Sequence, residues 1–114
     1  MNNKICTGMA IVGITEKMFL DVASYIAVIS DMVIKNNCPH IAPELIQGLR
    51  KATETSVNGI SNVEAKRVLT KYIESFIGLI ESGIKDIKEL MEESLLEYDN
   101  ALEEMNTYFI GLCQ

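Results

Sequence analysis

The residues best equipped for covalent or metal chemistry in this sequence are Cys38 and His40, which flank Pro39. A thiol beside an imidazole is the start of a nucleophile and base pair, and both groups are good zinc ligands. Neither chemistry is completed by the rest of the chain. His40 is the only histidine, zinc needs several ligands converging on one point, and no third group is placed to orient the imidazole. Carboxylate-bridged di-iron bundles require Glu-x-x-His pairs on facing helices, and the sequence has none. The glycines are isolated rather than gathered into a phosphate cradle, and no G-x-S-x-G or H-E-x-x-H element occurs. The sequence therefore predicts no catalytic residue, no metal and no cofactor. Cys6, Cys38 and Cys113 are odd in number and far apart, which fits three free thiols in a reducing compartment.

Charge is the second chemical resource, and it is unevenly spread. The net charge of −6 divides into +2 over residues 1–72 and −8 over residues 73–114. Asp86, Glu89, Glu93, Glu97 and Glu104 follow one another at helical spacing, bordered by Glu92 and Glu103. Such a ridge is either a solvated outer face or a docking surface for a basic protein; it repels phosphate backbones and so argues against direct nucleic-acid binding. Acids toward the C-terminal end of a helix oppose its dipole, which favours a purpose beyond stability.

Positioning that ridge requires helices. The chain is 114 residues long with 48% hydrophobic and 23% charged residues, a composition that folds as one domain over 1–114. Only two prolines interrupt it, and no two-residue alternation persists, so the expected class is all-α with three to four helices. Residues 1–12 read as a loosely helical or extended lead-in. Residues 15–36 form a helix whose polar positions, Lys17, Asp21, Ser24, Asp31 and Lys35, make a narrow stripe. Its broad apolar face predicts a central hub touching several neighbours. Asn36-Asn37 and Pro39 end it, Pro43 opens a second helix over 43–57, and Ser61-Asn62-Val63-Glu64 matches a capping box for a third.

From Ile73 to Leu112 apolar residues recur every three or four positions through Ile77, Ile80, Ile84, Ile87, Met91, Leu95, Tyr98, Leu102, Met105 and Phe109. That is the seam of a helix lying lengthwise on another. The seam keeps its phase across Gly83, which favours one continuous helix over 61–112, roughly 75 Å long at about 1.5 Å per residue. A break near Gly83 is the alternative and gives a four-helix bundle. Ser75, Gly78 and Ser82 could line a groove for another backbone. In the continuous form the C-terminal seam, Tyr98, Leu102, Met105, Tyr108, Phe109 and Leu112, is left as an interface, and a homodimer follows.

The expected function is non-catalytic protein binding by a cytoplasmic bundle, of the kind used by small inhibitor, immunity or antitoxin factors that block a basic, nucleic-acid-handling partner. The alternative is a chaperone or secretion-associated adaptor that shields an apolar client helix with the seam. No apolar stretch approaches the ~20 residues needed to cross a membrane, and no small-residue cleavage site follows Ile5–Ile14, so neither a membrane span nor a secretory signal is expected.

Overall fold

A computed structural model describes residues 3–85 and 88–114, and among these residues helices joined by short turns are the regular structure, with no strand. Five α-helices follow in order: α1 (Asn3–Ile11), α2 (Glu16–Ile29), α3 (Ala42–Val57), α4 (Val63–Lys85) and α5 (Lys88–Gly111). A π-helical segment, Ser30–Lys35, prolongs α2, and a short 3-10 turn, Pro39–Ile41, leads into α3. Among the described residues no helix is long and apolar enough to cross a membrane.

The favoured continuous helix over 61–112 is overturned. Three pairs of contacts, Asn62 with Tyr108, Arg67 with Glu104 and Tyr72 with Tyr98, step down one helix as they climb the other. That is the signature of an antiparallel hairpin of α4, which ends at Lys85, and α5, which starts at Lys88. The protein's long dimension is 41 Å, about the length of one arm of the hairpin and far short of a single helix through both. The alternative with a break was right in kind, although α4 runs on past Gly83 to Lys85.

The hairpin changes which helix is central. Val68, Leu69, Ile73, Phe76, Ile77 and Ile80 of α4 are all buried, so α4 takes the middle between α5 and α3. The helix expected to be the hub, α2, packs principally on α3 and buries only Val22 and Ile29. Its polar stripe, Lys17, Asp21, Ser24 and Asp31, faces solvent as the sequence implies. Gly48 on α3 makes this contact close, because a β-carbon there would sit 2.5 Å from the ring of Tyr25.

The N-terminal stretch is a regular helix rather than a loose lead-in. Met9 is buried, Gly8 lies against the carbonyl of Phe109, and the Cys113 thiol donates to the Lys4 carbonyl at 3.1 Å. These contacts lay α1 along the last turns of α5. Gly13, at φ 83°, then reverses the chain, and Thr15 caps α2 by accepting from the Met18 amide at 3.2 Å.

Local signals elsewhere hold with small shifts. Asn37 adopts the left-handed conformation at φ 52° after the π-helical segment, and Pro43 sits in the first turn of α3. The capping box moves by one residue. Asn62, not Ser61, accepts from an amide three residues on, that of Ala65 at 2.9 Å, while the Glu64 carboxylate turns to Arg67.

Candidate functional site

Four of the five sequence-predicted ridge acids can be placed; Asp86 lies outside the described residues. Glu89, Glu93 and Glu97 stand on the outer side of α5, exposed, and none pairs with a described cation. Glu104 does not join them. It turns toward α4, where Arg67 reaches one of its oxygens at 2.5 Å and the Lys71 ammonium the other at 2.8 Å. The hydrogen bond from Lys71, and then that from Arg67, holds the Glu104 carboxyl below the usual carboxylate range. Arg67 also grips Glu64, which lowers that carboxyl too, and the two acids together raise the guanidinium. Glu104 is therefore a clasp of the hairpin, and the outward carboxylates are Glu89, Glu92, Glu93, Glu97 and Glu103.

The break between α4 and α5 also revises the dipole argument. Glu89, Glu92 and Glu93 belong to the opening turns of α5, where the helix dipole favours negative charge. Their presence needs no function to offset a cost.

A different residue marks this face. Leu96 is 62% exposed and lies one turn from Glu92 and Glu93 on one side and from Asp99 and Asn100 on the other. Glu89 and Glu103 stand two turns away. The result is a bare leucine ringed by carboxylates. The seam reading passes over Leu96 because it lies off the three-and-four pattern; the signal was there as an apolar residue with acids at i−4, i−3 and i+3.

The C-terminal seam is occupied within the chain. Met105 and Phe109 are buried, and Tyr98, Leu102, Tyr108 and Leu112 are half-buried against the same core. Tyr98 packs on Tyr72 and Phe76, with ring centres 5.6 and 6.1 Å away, and Tyr108 donates to Asn62 at 3.2 Å. Across the turn the reversal resets the seam's phase: Ser94 is buried where Leu95 was expected, and Leu95 is exposed. Ser82 on α4 is also buried, with its hydroxyl donating to the Leu79 carbonyl of its own helix at 2.8 Å. Gly78 faces open space, so Ser75, Gly78 and Ser82 do not line a close approach of another backbone within the chain.

Cys38 and His40 do not converge on a shared site. The Cys38 thiol donates to the Asn36 carbonyl at 3.4 Å within its own turn, and His40 is exposed. None of Cys6, Cys38 and Cys113 forms a disulfide. Among the described residues no three of His, Cys, Asp or Glu stand close enough to hold a metal ion.

Two apolar hollows stand out among the described residues. One, of about 470 Å³, lies between α1 and α2 on Met9, Ile14, Phe19 and Leu20. The other, of about 550 Å³, lies at the reversal end of the hairpin beneath the π-helical segment. No family model matches the chain, and neither a curated protein nor a solved structure matches it.

Proposed function

We propose that this protein is a non-catalytic binding bundle whose working surface is the outer face of α5, and that its partner is a basic protein. The observation that carries the reading is Leu96, held out to solvent at the centre of Glu89, Glu92, Glu93, Asp99 and Glu103. An apolar anchor inside a charged rim is the anatomy of an energetically concentrated interface. The carboxylates steer a cationic surface into place, and the leucine supplies apolar area once water is expelled. A small acidic bundle of this form suits an inhibitor or immunity factor that covers the cationic site of a nucleic-acid-handling protein. The adaptor reading finds less support, because the seam it would use packs against α1 and α4.

Affinity capture from lysate of the native host, using wild-type chain beside Glu89→Lys/Glu93→Lys/Glu97→Lys and Leu96→Glu variants, tests the proposal. The expected catch is a basic protein that is released as salt rises and the Debye length shrinks to about 3 Å near 1 M. Both variants should lose it. A partner retained by both variants would refute the assignment of this face.

A further inference from the structure

We infer that Asn58-Gly59, in the turn between α3 and α4, is a site of spontaneous covalent modification. The Gly59 backbone nitrogen closes on the Asn58 side chain, ammonia leaves, and hydrolysis turns the residue into aspartate or isoaspartate.

Ring closure of this kind needs the side-chain carbonyl carbon of an asparagine within reach of the next backbone nitrogen, and a side chain on the following residue obstructs it. The sequence has eight asparagines, and Asn58 is the one followed by glycine. Both residues are exposed. The Asn58 side chain hydrogen-bonds to no described residue. The Gly59 N–H also donates to no described residue, although the amides on either side of it are held. Asn58 N–H donates to the Glu54 carbonyl at 3.3 Å and Ile60 N–H to the Val57 carbonyl at 3.0 Å. The attacking nitrogen can therefore swing toward the Asn58 side chain without breaking a hydrogen bond of its own.

Other asparagines lack this freedom. Asn100 and Asn106 lie inside α5, where the following amide belongs to the helical ladder. Asn37 is followed by Cys38, whose N–H donates to the Met32 carbonyl at 2.9 Å. The Asn62 side-chain oxygen is shared by the Ala65 amide and the Tyr108 hydroxyl.

The step balances with water alone. A solvent base removes the Gly59 proton, the nitrogen bonds to Asn58 Cγ, and the Cγ–Nδ2 bond breaks as the nitrogen departs with a proton as ammonia. Water then opens the cyclic imide at either carbonyl. One opening leaves aspartate on an ordinary backbone; the other routes the main chain through Cγ and lengthens it by one carbon. Either product sets a carboxylate at the C-terminal end of α3, where the helix dipole opposes it. Val57 and Ile60 on either side are both buried, so the lengthened backbone must displace one of them or the start of α4.

The fold itself does not call for glycine here. The φ of Gly59 is not positive, and a β-carbon would stand 3.6 Å from both Met18 Cε and the Ser56 carbonyl, an ordinary contact. Gly59→Ala thus removes the chemistry and keeps the turn.

Peptide mapping by mass of the folded full chain, held in mildly alkaline buffer and sampled over time, tests the inference. Asn58 should convert ahead of every other asparagine, giving two products of equal mass that separate on chromatography. Gly59→Ala should lose most of this conversion and keep the helical circular dichroism. Asn58→Gln, whose longer side chain would have to close a larger ring, should lose it as well. The purified isoaspartate form should unfold at lower urea than Asn58→Asp, which carries the same charge on an unlengthened backbone. Conversion led by a different asparagine overturns the inference, as does conversion at Asn58 only after the chain is unfolded in urea. So does a Gly59→Ala chain that converts as fast as wild type. An isoaspartate form as stable as Asn58→Asp overturns the strain placed on the α3–α4 connection.

Discussion

Gly8 of α1 lies so close to the carbonyl of Phe109 in α5 that no β-carbon fits between the two helices. The obstacle is backbone at the buried end of α5, so it cannot rotate aside. Overpacking of this kind costs about 1–3 kcal/mol, and the better helix propensity of alanine returns about 1 kcal/mol. Gly8→Ala should therefore lose up to about 2 kcal/mol of stability in urea unfolding, or release α1. Gly78→Ala is the matched control, because a β-carbon there meets nothing. It should gain about 0.5–1 kcal/mol. Equal gains at both positions would mean that α1 does not dock on α5.

Tyr72 sets the alkaline limit. Burial, and then its contact with the Tyr98 hydroxyl at 3.4 Å, pushes the Tyr72 phenol well above its ordinary value. The unfolded chain ionises this phenol near pH 10, before the folded chain does. Its contribution is complete below that pH and is lost as pH rises through the folded value. Spectrophotometric titration should show a late tyrosine step, belonging to Tyr72, that waits until the protein unfolds. In Tyr72→Phe that late step should vanish and the alkaline loss of stability should become shallower. A wild-type titration with all four phenols ionising together near pH 10 would contradict it.

At the acid end the sign reverses. The Glu104 carboxyl is lowered by Lys71 and Arg67, and the Glu64 carboxyl by Arg67, so the unfolded chain takes up these protons first. Their contribution is complete above the unfolded glutamate value of about 4.3 and drains away as pH falls through the lower folded values. The groups are partly solvated, so the amplitude is small. Glu104→Gln should flatten the dependence of stability on pH between about pH 5 and pH 3. Parallel curves for wild type and Glu104→Gln would show that the clasp across the hairpin adds nothing.

The sequence carried the all-α class, the starts of α2 and α3 and the left-handed stop at Asn37, because each rests on local chemistry at Thr15, Pro43 and Asn37 itself. The reversal between α4 and α5 was harder to read. Apolar spacing stays in phase from Ile80 through Ile84, and a helix that continues gives the same local pattern as one that folds back. Only nonlocal pairings such as that of Tyr72 with Tyr98 distinguish them. That error then displaced the rest: it moved Leu95 inside in place of Ser94, made α2 a hub, and turned the inward side of α5 into an interface. For the candidate site, periodicity found the carboxylates but could not show that Glu104 is spent on Arg67 and Lys71, which lie more than thirty residues away. Leu96 was legible in the residues around it but hidden by attention to the seam.

Asn62 joins the start of α4 to the end of α5 through a single oxygen. Its side-chain carbonyl accepts from the Ala65 amide at 2.9 Å and from the Tyr108 hydroxyl at 3.2 Å. The first bond caps α4, and the second ties the cap to the aromatic turn that packs beside Phe109, with ring centres of Tyr108 and Phe109 5.2 Å apart. Losing a capping side chain costs about 0.5–2 kcal/mol. Here the substitution also strands a half-buried hydroxyl, so Asn62→Ala should sit at the upper end of that range, and Ser61→Ala should be nearly neutral. Tyr108→Phe removes the tie but leaves the cap, and should cost about 0.5–1.5 kcal/mol, the usual net worth of one hydrogen bond. The two substitutions share one oxygen, so the double variant should lose less than the two single losses combined. A destabilised Ser61→Ala beside a neutral Asn62→Ala would return the cap to the position that the Ser-x-x-Glu pattern first suggests.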